Sequence, residues 1–156
     1  AGAGRCFVTD LVPERMAAAR TRGAAWAGHG TQEDVVARIR AVQPEGADAV
    51  FECAGRQETI DQATRLLRPG GRLLLVGIPR TDRVSLEIHT MRRQEIAVLN
   101  VRRQNRCTQK ALEWIGQGRA DVGFMATHVF PLDRCREAFE LVAGYRDGVI
   151  KALIEI

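Results

Sequence analysis

Short apolar and β-branched runs alternate with longer stretches whose apolar residues recur every three or four positions, the pattern of strands separated by helices. Residues 5–10 form one such run, ending in Asp10, and Pro13 opens a helical stretch that stops near Gly23. Residues 24–27 predict a brief strand. Thr31 stands as the cap of a second helix, in which Val35, Ile39 and Val42 recur at spacings of four and three and which Pro44 and Gly46 end. Within residues 47–53 the run Ala49-Val50-Phe51 predicts a strand buried on both faces, as parallel sheets require. Ile60, Ala63 and Leu67 mark the inner side of the next helix, closed by Arg68-Pro69-Gly70-Gly71. Residues 73–76 make another buried strand, with Gly77-Ile78-Pro79 as its exit turn.

The alternation continues with a helix over 85–93, a strand over 95–100 and a helix over 108–116 carrying Ala111, Leu112 and Ile115 on one side. Leu132, Cys135, Phe139 and Val142 form an apolar stripe on a later helix, and residues 149–156 close as a strand. Strands linked by helices imply right-handed crossovers, so the fold class is α/β, a doubly wound parallel sheet (Rossmann-like) that takes ligands at the carboxyl ends of its strands.

In that fold the acidic residue that holds an adenine ribose follows the phosphate-binding glycines by about 20 residues. If Asp10 is that residue, the glycines lie before residue 1. The whole chain, 1–156, then reads as a partial NAD-binding domain lacking its first strand and glycine-rich turn. Gly2-Ala3-Gly4 is no substitute, because a strand follows it where a helix N-terminus should meet the pyrophosphate. In strand order 3-2-1-4-5-6 the absent strand is central, between residues 5–10 and 47–53. Those two strands then keep unpaired edges, pair with each other, or recruit a strand from another copy.

Asp10 is placed to accept hydrogen bonds from both ribose hydroxyls, and its charge repels the extra phosphate of NADP, which predicts NAD. The plain alternative is a helix cap ahead of Pro13. Arg15 packs on the adenine, steadies Asp10, or stands as an idle helical arginine. Cys53, Ala54 and Gly55 end a strand where small residues permit close approach, and Cys53 reads as an inert thiol rather than a nucleophile. Val76, Gly77 and Ile78 occupy the corresponding position one strand later, and Leu99, Asn100 and Val101 the one after. Ordinary strand ends have the same appearance.

Composition narrows the classes. The chain has 156 residues, 46% of them apolar, enough for one sizeable core. Its apolar runs are too short to span a bilayer and its first residues lack a signal peptide's blocks, so a cytoplasmic location and no membrane partner are expected. The net charge of +4 is almost entirely arginine. Arg92, Arg93, Arg102, Arg103 and Arg106 cluster without interleaved aromatics, a solvated or interface surface rather than a nucleic-acid site. Cys6, Cys53, Cys107 and Cys135 form no C-x-x-C pair and fit free thiols in a reducing compartment. His29, His89 and His128 have no partner at ligand spacing, so no metal is assigned.

Three stretches together resemble the medium-chain alcohol and polyol dehydrogenases, the zinc-type branch with sorbitol and threonine dehydrogenases. The first is Val8-Thr9-Asp10-Leu11 with Glu14-Arg15 and Gly23-Ala24. The second is Phe51-Glu52-Cys53-Ala54-Gly55, Leu67-Arg68-Pro69-Gly70-Gly71-Arg72-Leu73 and Val76-Gly77. The third is Asn100-Val101-Arg102-Arg103-Gln104-Asn105 and Thr127-His128-Val129-Phe130-Pro131-Leu132, closing with Glu137-Ala138-Phe139. The resemblance covers essentially the whole chain, in order.

It implies the cofactor-binding part of an NAD-dependent oxidoreductase that moves hydride between an alcohol or polyol and NAD. It further implies a larger, commonly oligomeric enzyme whose zinc polarises the alcohol oxygen but is held upstream, not by this segment. By the same resemblance, residues 1–4 end the first helix, and backbone groups near Val76–Ile78 and Leu99–Val101 hold the nicotinamide carboxamide. His128 matches a Thr-His pair, although Val129 stands where many relatives have arginine, and a structural hydrogen bond is its expected role. Zinc-free quinone reductases are a close variant, disfavoured by the polyol-like stretches. S-adenosylmethionine-dependent methyltransferases also place an acid after a second strand, but their sheet ends in an antiparallel hairpin. A noncatalytic nucleotide-binding module is the third reading.

Overall fold

Strand and helix alternate along the chain: β1 (Phe7–Asp10), α1 (Pro13–Thr21), β2 (Trp26–His29), α2 (Val35–Val42), β3 (Ala47–Glu52), α3 (Gln57–Leu66), β4 (Leu67–Leu75), α4 (Ile88–Arg93), β5 (Ala97–Asn100), α5 (Thr108–Gly116), β6 (Ala126–Pro131), α6 (Cys135–Ala143) and β7 (Lys151–Glu155). The structure, a computed structural model, describes residues 2–156. Every strand pairing among them is parallel, in three sheets ordered β1-β2, β3-β4-β5 and β6-β7. This is the Rossmann-like α/β fold that the alternation predicts. The chain divides into two compact units, one of the residues up to His29 with Gln104–Ile156, the other of Gly30–Arg103.

In the first unit α1 is the crossover between β1 and β2. Pro13 sits in its first turn, where a missing N–H costs nothing, and Met16 and Val12 are buried beneath it. Residues 2–4 are not helical as expected: Gly2 sits at a φ of 79°, off the right-handed path, and Ala1 lies outside the described residues. The strand expected at 24–27 runs two residues later, because Ala25 N donates to Cys6 O and starts the pairing there. β6 was not anticipated, since its apolar alternation, Val129 out and Phe130 in, is only six residues long. It pairs with β7, Val129 opposite Leu153, and the fully buried Val149 leads into that strand. The stripe Leu132, Phe139 and Val142 does not form the core of α6. Phe139 is 75% exposed, and the buried residue of that helix is its neighbour Ala138, so the packed face is turned by one residue from the expected stripe.

The second unit holds the three-stranded sheet. α2 is capped by Asp34, whose carboxylate accepts from Ala37 N at 2.9 Å, and not by Thr31, which lies three residues too early. Ala63, Leu67 and Leu73 form the buried core, with Val50, Leu75 and Ile96 packed against it. Residues 68–71, expected to close α3 as a turn, are carried within a β4 that begins at Leu67. Gly71 makes this possible, because a side chain there would strike Arg68 O and Leu67. β3 is buried on one face only: Glu52 is 3% exposed whereas Phe51, pointing the other way, is 63% exposed. β1 pairs with β2 alone and β3 with β4 alone among the described residues, so each keeps one unpaired edge and neither pairs with the other.

Candidate functional site

The carboxyl ends of β3, β4 and β5 surround a cavity of about 290 Å³ in the second unit. Glu52, Ile60 and Leu75 form its floor, and Val76, Gly77, Ile78, Asn100 and Val101 line it beside Pro79, Thr81, Asp82 and Val84. Five residues picked from the sequence are thereby gathered around one cavity. Leu99, half-exposed one residue before Asn100, does not line it.

Gly55 and Gly77 meet at the cavity's edge. A Cβ on Gly77 would lie 2.2 Å from Gly55 N, and one on Gly55, at a φ of 66°, would lie 2.5 Å from Ile78 O. Both positions are therefore held to glycine first by the approach of two backbone segments, whatever ligand they face. Cys53 and Ala54, on the same loop, are exposed and lie outside the cavity lining. Partial covering of the Cys53 thiol, then the negative charge of Glu52, pushes its pKa upward although the residue as a whole is exposed. Thiolate is the reactive form, so alkylation of Cys53 by iodoacetamide should reach half its maximal rate at a pH above that of an ordinary free thiol, read by peptide mass spectrometry across a pH series. A midpoint at or below the ordinary value would contradict this.

Glu52, which sequence reasoning does not single out, is a further residue of the site. Its Oε1 accepts from Ala54 N at 2.8 Å, Gly55 N at 2.9 Å and Thr59 Oγ1 at 2.7 Å, and its Oε2 from Gly55 N at 3.1 Å. Its main-chain oxygen accepts from Val76 N and Gly77 N, each at 2.8 Å. One buried residue thus ties the loop after β3 to the exit of β4. The available signal is an acid that ends the apolar run Ala49-Val50-Phe51, directly before Cys-Ala-Gly.

Asp10 and Arg15 belong to the first unit. Asp10 Oδ1 accepts from Leu11 N at 2.7 Å and Val12 N at 3.0 Å, a local turn ahead of α1, while Oδ2 lies 3.7 Å from an Arg15 guanidinium nitrogen. The carboxylate is partly exposed, with Oδ2 paired to Arg15 rather than to the turn's amides. Arg15 also stacks over Tyr145, 5.3 Å from its centroid. In the same unit His128 Nδ1 lies 3.0 Å from Thr127 Oγ1 and Nε2 3.2 Å from Asp147 Oδ2. Thr127 Oγ1 in turn accepts from Ile150 N, at the register shift between β6 and β7, so this histidine is part of a structural knot.

Among the described residues no three histidine, cysteine, aspartate or glutamate side chains gather into a metal-ligand set, and no helix is long and apolar enough to cross a membrane. The chain is 33% identical over 99% of its length to the zinc-type alcohol dehydrogenase-like protein YdjJ of Escherichia coli. It is 27% identical over 98% of its length to the sorbitol dehydrogenase of Bacillus subtilis, and spans 44% of each of these two relatives. A zinc-binding dehydrogenase of Sinorhizobium meliloti, solved bound to NADP, superposes with a TM-score of 0.85 at 25% identity, over 100% of this chain and 46% of that one. Residues 1–117 match the family described as zinc-binding dehydrogenase, and to that family this chain belongs.

Proposed function

We propose that this chain is the later part of the cofactor domain of an NAD-dependent alcohol or polyol dehydrogenase, a larger cytoplasmic and oligomeric enzyme. The observation that carries the reading is the cavity at the carboxyl ends of β3, β4 and β5, the position at which open parallel sheets take their ligands. Its volume suits one half of a dinucleotide rather than the whole. The bound dinucleotide supplies a hydride acceptor at its nicotinamide ring. The backbone around Val76–Ile78 and Asn100–Val101 orients that ring by its carboxamide, and Leu75 and Ile60 keep water from its underside. Asp10 takes the adenosine ribose hydroxyls with its partly exposed carboxylate, and its charge disfavours a 2′-phosphate. The histidines, cysteines and carboxylates described form no zinc site, so no step of alcohol activation is assigned to them.

The test is calorimetric titration of the protein, joined to whatever coding sequence precedes Ala1, with NAD, NADP and S-adenosylmethionine. NAD should bind best. Asp10→Ser should weaken NAD by about tenfold, the worth of one hydrogen bond to a carboxylate, while NADP binding holds or improves. Preference for NADP in the native protein would overturn the role of Asp10. Binding of S-adenosylmethionine alone would overturn the dehydrogenase reading, and an upstream sequence without a strand and G-x-G-x-x-G would overturn the domain reading.

A further inference from the structure

We propose that Gln57 is a positioning residue that straps the segment after β4 across the dinucleotide cavity, by lending its carboxamide to the main chain of Ser85. The inference rests on the dinucleotide reading above. Residues 76–87 have no regular helix or strand, yet Ile78, Pro79, Thr81, Asp82 and Val84 line the cavity. So long an irregular run supplies no ladder of its own to hold a wall in place.

Gln57, the first residue of α3, supplies the missing ladder. Ser85 N donates to Gln57 Oε1 at 2.8 Å, and Gln57 Nε2 donates back to Ser85 O at 2.9 Å. The side chain pairs with Ser85 as a neighbouring strand would. Its second amide hydrogen goes to Asp61 Oδ1 at 2.7 Å, one turn along α3, which fixes the carboxamide's orientation before the strap arrives. One turn from Gln57 on the same helix, Ile60 is 1% exposed and belongs to the cavity's floor. Gln57 therefore couples floor and outer wall, with Val84, the residue before Ser85, as the piece of wall it places. Thr81 Oγ1, donating to Arg83 O at 2.9 Å, shapes the turn between.

Both hydrogen bonds go to main-chain atoms, so the Ser85 hydroxyl has no part in the strap. This sets the experiment, carried out on the full protein by calorimetric titration with NAD, urea unfolding and amide exchange. Gln57→Ala should weaken NAD about tenfold, the combined worth of two neutral hydrogen bonds, with an almost unchanged urea midpoint and faster exchange at the Ser85 amide. Ser85→Ala should bind as the native protein does, and Ser85→Pro, which has no N–H to give, should follow Gln57→Ala. Native affinity in Gln57→Ala, or equal weakening in Ser85→Ala, overturns the strap while leaving the dinucleotide reading intact. A native protein that binds no NAD overturns both.

Discussion

Gly77→Ala should lower the stability of the protein by about 3 kcal/mol, because the added methyl group is driven into backbone. The added Cβ would stand 2.2 Å from Gly55 N and 2.8 Å from Glu52 Oε2. The nearer of these is backbone, so no side-chain rotation relieves it. Either the loop after β3 or the exit of β4 has to move. Movement of either breaks the pair of 2.8 Å bonds by which Val76 N and Gly77 N reach Glu52 O, and so adds unsatisfied donors to the steric cost.

Two other glycines calibrate the effect. Gly70 sits at a φ of 72° with nothing within 4 Å of an added Cβ, so Gly70→Ala should cost only the left-handed strain, about 1 kcal/mol. Gly116, in the last turn of α5 with open space around it, should be neutral or slightly better as alanine. Urea unfolding gives the three values, read as a shift of midpoint at constant slope. A Gly77→Ala cost no larger than that of Gly70→Ala would mean that the two backbone segments are not in contact.

The order of elements was readable because their boundaries are chemical. Pro13, Gly46 and Pro79 interrupt the chain where the backbone turns, and the spacing of Val35 and Ile39 marks a helix face that is in fact buried. Burial read less well. Phe51 lies in an apolar run and Phe139 on a stripe of helical spacing, yet each is exposed, because the neighbours an element meets decide which of its faces is packed and its own pattern does not. The candidate site was legible in part for the same reason. Gly77 and Asn100 fall at strand ends that any doubly wound sheet brings together. Glu52 and Gln57 escaped because their work is done through hydrogen bonds to main-chain atoms of other segments, and such partners leave no signature in residue type.

Glu52→Ala should also cost about 3 kcal/mol, and its pattern separates a held loop from a merely filled core. The carboxylate is 3% exposed and takes hydrogen bonds from Ala54 N, Gly55 N and Thr59 Oγ1. Hydrogen bonds to a charged group are worth about 1.5–3 kcal/mol each, although Ala54 is exposed enough for water to recover part of the loss. Glu52→Gln keeps one oxygen in the same volume and so can still accept at the Oε1 position. Its amide, however, would face Gly55 N across 3.1 Å as donor against donor, and a cost of about 1–2 kcal/mol is expected. The order alanine worse than glutamine, with amide exchange at Gly55 accelerated in both, is the signature of an acceptor that holds the loop. Equal costs for the two would make the negative charge rather than the acceptor geometry decisive. Native stability in Glu52→Ala would mean that the loop after β3 stands without it, and that the Gly55–Gly77 contact alone keeps the floor of the cavity in place.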